Sequence, residues 1–156
     1  MLVLMSEQIA SSQAVPRIAP LDGTYREVLA LLERARALAL SAQAAPTPGL
    51  RSAAAADLSP LARLEASCEA LRVTSRLAHC LAWVLIHKAI HAGELSPDAA
   101  FAPANRLSGG AVCLEAGGER NPRLPGRLRS LLTDSRALYV RLARLDARLS
   151  VIPAGA

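Results

Sequence analysis

The sequence predicts an all-α protein, an antiparallel three-helix bundle with a long central helix. Hydrophobic residues make up 52% of the 156 residues but aromatic residues only 3%, and the commonest apolar residues, alanine and leucine, are good helix formers. The β-branched and aromatic residues that favour strands are scarce. Three segments repeat their apolar residues every three or four positions, which is the period of one helix face. A chain of this length can form one domain with a buried core.

The first helix is predicted over residues 24–44. It follows an N-terminal arm, residues 1–20, which has no sustained period and is expected to be flexible. Thr24 and Glu27 have the spacing of a capping box, in which each side chain satisfies a backbone N–H at the helix start. The helix is expected to end before Pro46, because the residue preceding a proline is pushed out of the α region. One face is apolar through Val28, Leu31, Ala35, Leu38 and Ala42.

The central helix is predicted over residues 60–92. Ser59 followed by Pro60 is a strong start signal, a capping hydroxyl before a proline at the first helical position. Gly93 suits the left-handed residue that follows many helix ends. At 1.5 Å per residue the helix is about 48 Å long. Its main apolar face, expected to pack in the bundle, consists of Leu71, Thr74, Leu77, Ala78, Leu81, Leu85, Ala89 and Ala92.

The third helix is predicted over residues 125–149. The segment before it, residues 93–121, is rich in Gly, Pro and Ser and is expected to be a flexible loop; residues 151–156 form a short tail. The apolar seam of this helix steps by four and three without a break, which is typical of a helix that packs lengthwise on its partners. The seam consists of Leu124, Leu128, Leu131, Ser135, Leu138, Leu142, Leu145 and Leu149.

A second stripe lies on the opposite side of the central helix, about 180° from the main face at 100° per residue. An exposed surface of this kind on a small bundle usually meets a partner, and a symmetric homodimer is the simplest one. The alternative is that the stripe packs in the core against the first helix. The stripe consists of Arg72, Arg76, His79, Trp83, Ile86 and Ile90, and we expect Trp83, Ile86 and Ile90 to be buried at the dimer or partner interface.

The net charge of +5 comes entirely from the C-terminal part of the chain. Residues 1–120 hold eleven basic and eleven acidic side chains, whereas residues 121–156 hold seven arginines against Asp134 and Asp146. Attraction to an acidic partner is therefore expected to act through the third helix.

Three of these arginines align on one side of the third helix, namely Arg141, Arg144 and Arg148. The interpretation without a binding role is a solvated face whose long side chains cover apolar surface. The functional interpretation is contact with an acidic surface on a protein partner. A nucleic acid is a less favoured partner, because neither a recognition helix nor aromatic residues for base stacking are evident.

No constellation for catalysis is evident, so we expect a protein that is not an enzyme and needs no cofactor. The sequence has no GxSxG, no Cys–His signature and no phosphate-binding glycine loop. His87 and His91 are four residues apart and could share a metal, but Lys88 stands where the zincin motif has glutamate. Histidines near a helix C-terminus that favour the helix dipole are the simpler alternative, and no metal site is predicted.

The expected location is the cytoplasm. The longest apolar run, residues 77–86, spans ten residues, short of the roughly 20 that a membrane-spanning helix needs. No export signal is evident at the N-terminus. In a reducing compartment the three cysteines are expected to be free thiols.

Two stretches of the sequence resemble an alphaproteobacterial family. In "LRVTSRLAHCLAWVLIHKAIHAGELS" the likeness is carried by Arg72, Thr74, Ser75, Arg76, Leu77, Ala82, Trp83, Leu85, Ala89, Gly93, Glu94 and Leu95. In "LPGRLRSLLTDSRALYVRLARLD" it is carried by Leu124, Pro125, Leu138, Tyr139, Arg141, Arg144, Leu145 and Asp146. The family that these residues resemble is that of the regulator of CtrA degradation (the RcdA family, first catalogued as DUF1465).

The resemblance implies a three-helix bundle that dimerises and acts as a non-enzymatic adaptor for the ClpXP protease. Such an adaptor works with a response-regulator-like co-adaptor and brings a cell-cycle transcription regulator and other clients to the unfoldase. Tethering raises the local concentration of a client at the protease without requiring tight contacts. The alternative function is a nucleic-acid-associated helical protein that binds through the Arg-rich third helix.

Overall fold

The structure is a computed structural model that describes residues 21–43 and 59–149. Within these ranges every regular element is helical, so the all-α prediction is confirmed. The predicted arm at residues 1–20 and tail at residues 151–156 lie outside the described residues. The four α-helices are α1 (Asp22–Gln43), α2 (Pro60–His91), α3 (Gly110–Cys113) and α4 (Gly126–Leu149), and the 3-10 segments are Pro97–Phe101, Pro103–Asn105 and Gly118–Arg120.

Local signals in the sequence place the ends of α2. The Ser59 hydroxyl accepts a hydrogen bond from the backbone N–H of Ala62 at 3.2 Å, and Pro60 occupies the first turn. After the last turn Gly93 adopts φ +78°, the left-handed conformation that glycine reaches without strain. At α1 the prediction is less accurate: the helix begins at Asp22, so Thr24 lies inside its first turn and does not cap it.

Helices α1 and α4 are antiparallel. Arg34 of α1 pairs with Asp134 of α4 at 2.7 Å. Arg141, two turns farther along α4, pairs with Glu27, two turns earlier in α1. Contacts that advance along one helix and retreat along the other define an antiparallel pair.

Helices α2 and α4 run parallel, which corrects the prediction of an antiparallel bundle for this pair. Arg76 of α2 donates to the backbone oxygen of Leu132 in α4, and Trp83 donates to Asp146, so the contacts advance along both helices. Short connections between helices favour antiparallel neighbours. The long connection between α2 and α4 instead reaches back along the length of α2 before α4 begins.

That connection forms a defined layer over α2, although a flexible loop was expected there. Ser108 lies beside His79, with 3.1 Å between the hydroxyl and Nδ1. Farther on, Arg123 pairs with Glu65 near the start of α2 at 2.8 Å. The chain therefore passes from the C-terminal to the N-terminal part of α2, and its turns are built from the short helix α3 and the three 3-10 segments.

Two glycines let the connection approach the helices closely. A Cβ atom on Gly109, which adopts φ +83°, would lie 2.5 Å from Nε2 of His79. A Cβ atom on Gly118 would lie 2.6 Å from Oε2 of Glu69 and 2.9 Å from Cδ1 of Leu132. Such distances are far inside normal contact, so the glycine-rich stretches are packing points as well as turns.

The core lies between α1, α2 and α4. The predicted seam of α4 is confirmed: Leu145 is half-buried and the other seven members are buried. Helix α1 contributes Val28 and Leu31 from its predicted face. The buried side of α2 consists of Ala62, Val73, Arg76, Leu77, Cys80, Trp83, Val84 and His87.

The predicted main face of α2 is therefore wrong. Leu71 is 67% exposed and Leu85 45%, and Leu77 is the one member of the eight that is buried. Hydrophobicity alone ranks the two sides of α2 incorrectly, because the inner side includes Arg76 and His87. These polar residues tolerate burial because neighbouring segments supply partners or packing.

Candidate functional site

Arg76 is fully buried and holds three parts of the chain together. Its Nε atom donates to the backbone oxygen of Cys113 at 2.8 Å, Nη1 to that of Leu132 at 2.9 Å and Nη2 to that of Glu115 at 2.6 Å. Nη2 also lies 3.4 Å from the Glu119 carboxylate. Burial lowers the pKa of the guanidinium, and Glu119 opposes this effect. The five donors of an arginine fit such a set of diverging acceptors.

Trp83 is buried in a polar cluster two turns farther along α2. Its indole Nε1 donates to Oδ1 of Asp146 at 2.8 Å. Arg106, in the connection, donates to both carboxylate oxygens of Asp146 at 2.9 Å. Burial acts to raise the pKa of the Asp146 carboxyl, but the hydrogen bonds from Arg106 and Trp83 outweigh it and lower the pKa below the usual 3.8. The carboxylate is therefore held in its charged form.

His87 completes this cluster. Its ring centroid lies 4.0 Å from that of Trp83, and its Nε2 atom is buried without a hydrogen-bond partner among the described residues. Burial lowers the pKa of His87, while Asp146 raises it and Arg106 lowers it further. The neutral imidazole is thus the stable form inside the fold.

The second stripe of α2 is covered by the connection of the same chain, which corrects its assignment to an intermolecular interface. Arg76 is 0% exposed and Trp83 1%, so neither side chain offers surface to a partner. Arg72 is partly buried and forms ion pairs with Glu69 and with Glu115. The alternative prediction, that the stripe packs in the core, is correct for Arg76 and Trp83. They pack, however, against the connection and α4 and not against the first helix.

The remaining members of the stripe are less enclosed. Ile86 and Ile90 are half-buried, and the 3-10 segment Pro97–Phe101 packs against α2. These two isoleucines keep part of their surface and remain candidates for a contact at the end of α2.

The aligned arginines of α4 have different surroundings. Arg141 forms an ion pair with Glu27 of α1, so its positive charge is partly compensated within the protomer. Arg144 and Arg148 are exposed, and no described residue forms an ion pair with either of them. An acidic partner would therefore meet these two side chains first.

A long exposed apolar surface, which no residue in the described ranges covers, lies on the outward side of α2. Ten residues at alternating steps of three and four form a strip that we call the outer seam. Eight of them are exposed, and Ser75 and Ala89 are half-buried. The outer seam consists of Leu61, Leu64, Cys68, Leu71, Ser75, Ala78, Ala82, Leu85, Ala89 and Ala92. Five of these residues, Leu71, Ala78, Leu85, Ala89 and Ala92, belong to the apolar face that the sequence predicts to pack in the bundle.

A shallow groove borders the outer seam. It lies between the N-terminal half of α2 and residues 115–121, has a volume of about 440 Å³ and is lined by Cys68, Glu69 and Arg72 among others. The Oε2 atom of Glu65 is buried there without a partner in the described part of the chain. The groove is open to solvent and has polar side chains on both walls, unlike the enclosed apolar pockets typical of small-molecule sites.

The described residues contain no group of three His, Cys, Asp or Glu side chains arranged to hold a metal ion. His87 is buried and His91 exposed, so the two histidines do not share a surface. No helix in the described ranges combines the length and the apolar character that crossing a bilayer requires.

Comparison with known proteins places the chain in one family. The model of the family described as "Protein of unknown function (DUF1465)" matches residues 12–155. No curated protein and no solved structure gives a significant match. Because the match spans nearly the whole chain, the protein belongs to the DUF1465 family.

Proposed function

We propose that the protein is a non-enzymatic adaptor in ClpXP-dependent proteolysis. It would act in the cytoplasm as a dimeric helical bundle, together with a response-regulator-like co-adaptor, on a cell-cycle transcription regulator and other clients. Two things support this proposal: the resemblance of α2 and α4 to the RcdA family, and the outer seam, an uncharged strip along a full-length helix that no described residue covers.

An adaptor needs separate surfaces rather than a reactive pocket. The outer seam offers an apolar surface along α2, and Arg144 and Arg148 offer a positively charged one on α4. The two surfaces differ in chemistry, which suits a protein that must hold two partners at once and raise the local concentration of one beside the other. We assign the acidic partner to the α4 arginines and the self-contact to α2.

Reconstituted proteolysis tests the adaptor function directly. Purified protein is added to ClpXP and co-adaptor from an alphaproteobacterium, and loss of the client regulator is followed over time. The expected result is client degradation that depends on the protein, with no change for a substrate that ClpXP degrades without an adaptor. Unchanged client degradation, together with no binding to protease or co-adaptor, would defeat the proposal.

Charge reversal tests the role of the α4 arginines within that assay. Arg144→Glu/Arg148→Glu should reduce capture of the acidic partner and slow client degradation. The matched control is Arg120→Glu/Arg127→Glu, which makes the same change of charge at two other exposed arginines. Equal loss in both variants would indicate a general effect of charge and not a binding surface.

A nucleic-acid-associated protein is the second candidate function. The observation that favours it is the concentration of the whole net charge of +5 in residues 121–156. Against it, the pair of Arg141 with Glu27 of α1 neutralises one of the aligned arginines of α4. Binding to duplex DNA that falls steeply with salt, as counterion release requires, would favour this function. Absence of DNA binding at low salt would contradict this candidate function.

A further inference from the structure

The outer seam has the pattern of a coiled-coil strip, but no helix within residues 21–43 and 59–149 lies along it. Its ten residues advance by alternating steps of three and four along the whole of α2, and none of them is charged. Leu61 and Leu64 are each 60% exposed and Leu71 is 67% exposed. Such a strip packs knobs into holes when a second helix lies along it.

We propose that a second copy of this chain covers the outer seam, with the two α2 helices antiparallel and a two-fold axis between Ser75 and Ala78. The inference rests on the homodimer in the proposed function and goes beyond it by assigning the face and the direction of pairing. It does not depend on the protease or the client.

The order of large and small residues selects the antiparallel direction. When Ser75 of one copy faces Ala78 of the other, every leucine of the seam faces a small side chain, and none of the ten residues is left over. Alternating large and small residues across an interface lets the layers interdigitate without voids. The facing pairs are Leu61 with Ala92, Leu64 with Ala89, Cys68 with Leu85, Leu71 with Ala82 and Ser75 with Ala78.

A parallel pairing in register fits less well. It would place leucine on leucine at Leu61, Leu64, Leu71 and Leu85, and alanine on alanine at Ala78, Ala82, Ala89 and Ala92. The two helices would be held apart at the leucine layers and leave gaps at the alanine layers, which forfeits dispersion contacts. The seam is therefore complementary to itself in one direction only.

The size of the strip is sufficient for a weak but specific dimer. Helix α2 has 32 residues, so a strip about 48 Å long and roughly 10 Å wide gives on the order of 500 Å² per copy. The total of roughly 1,000 Å² lies at the lower limit for specific interfaces. Exposed parts of neighbouring helices would add to it.

The molar mass of the protein in solution tests whether the outer seam is the dimer interface. Wild-type protein should have twice the chain mass of 16.4 kDa by light scattering, and Leu71→Glu should reduce it to one chain with unchanged helical circular dichroism. The matched control is Leu40→Glu on α1, which is also exposed, at 54%, and should leave the dimer intact. A dimer that survives Leu71→Glu but not Leu40→Glu would move the interface to α1 and overturn the proposal.

Cross-linking tests the direction, using the one exposed native thiol. In the antiparallel pair Cys68 faces Leu85 of the second copy, so oxidation of Leu85→Cys should give a reducible covalent dimer, which Cys68→Ser should abolish. Wild-type protein should not cross-link, since the two Cys68 residues would be separated by 17 helical positions, about 25 Å. The other two cysteines are buried. Wild-type cross-linking without any gain in Leu85→Cys would indicate parallel pairing and overturn the proposal.

The outcomes separate this inference from the function on which it rests. A dimeric mass without either cross-link rejects the outer seam and leaves the proposed dimer in place. A monomeric wild type at working concentration rejects both the dimer and its face. The ClpXP assay on wild-type protein decides the adaptor role independently, because it measures client degradation and not the face through which two copies pair.

Discussion

The indole nitrogen of Trp83 lies 2.8 Å from Oδ1 of Asp146 and donates a hydrogen bond to it inside the core. The bond joins α2 to α4, and Arg106 from the connection shares the same carboxylate. The single tryptophan of the chain is therefore part of the polar network that aligns two parallel helices. A surface role for this residue is incompatible with an exposed fraction of 1%.

Trp83→Phe should lower the free energy of unfolding by about 1–3 kcal/mol, because a buried carboxylate loses one donor. Part of the loss comes from the smaller ring, so the coupling is measured in a double-mutant cycle with Asp146→Ala, which removes the acceptor, by urea denaturation. Additive losses would mean that the hydrogen bond contributes nothing. Trp83→Asp should unfold the protein and not merely dissociate a dimer, since it puts an unpaired charge in the core.

Arg76→Ala should destabilise the protein by roughly 3–5 kcal/mol, because it leaves several buried carbonyls of the connection and α4 without a donor. Arg76→Lys should recover only part of this, since an ammonium group cannot match the diverging donors of a guanidinium. The control is Arg127→Ala, an exposed site where a change within about 0.5 kcal/mol is expected. Thermal unfolding of the three variants gives the comparison, and equal stability of Arg76→Ala and Arg127→Ala would contradict the buried network.

Stability should fall as the pH is lowered through the range just below 6.5. The pKa of His87 is lowered in the fold by burial, so the unfolded chain takes up a proton at a pH where the folded chain does not. The contribution is present above the unfolded pKa of 6.5 and is lost as the pH falls towards the folded value. The carboxyls of Asp146 and Glu119 also have lowered pKa values. Their contribution to stability is lost only as the pH falls below the usual pKa values of 3.8 and 4.5.

His87→Leu should flatten the pH dependence just below pH 6.5, since the group that titrates there is removed. The matched control, His91→Leu, changes an exposed histidine one turn farther along and should leave the slope as it is. Urea denaturation at a series of pH values measures both. A slope unchanged in His87→Leu would show that another group causes it.

The three cysteines should react with a thiol reagent at different stages. Burial raises the pKa of the Cys80 thiol to about 12 and also raises that of Cys113, so both should stay protected until the protein unfolds. Cys68 is exposed in the protomer and should react first. If the outer seam pairs as proposed, Cys68 should react faster in Leu71→Glu than in wild type; equal rates in a dimeric wild type would count against a covered seam.

Much of the secondary structure was predictable because its signals are local. Ser59 and Pro60 start α2, Gly93 follows its end, and the leucine seam of α4 is buried almost as predicted. Each of these signals depends on residues within one or two turns of helix, so it can be recognised without knowledge of the tertiary contacts. The capping box predicted at Thr24 was wrong, because α1 begins two residues earlier, at Asp22.

The placement of Arg76 shows what local signals could not predict. An arginine in an apolar stripe suggests a surface facing a partner, because burying its charge is costly without acceptors. Here the acceptors are backbone oxygens from residues 37 to 56 positions away along the chain. The glycine-rich connection that carries two of them had been interpreted as a flexible loop.

By itself the sequence determined that the chain is helical, where its long helices lie and that α2 has two sides able to pack. Only the tertiary structure decided which side of α2 faces inward, that α4 runs parallel to α2, and that the connection covers the Trp83 stripe. The physical reason is that periodicity and capping are properties of neighbouring residues, whereas the burial of Arg76, Trp83 and His87 depends on groups brought to them from distant segments.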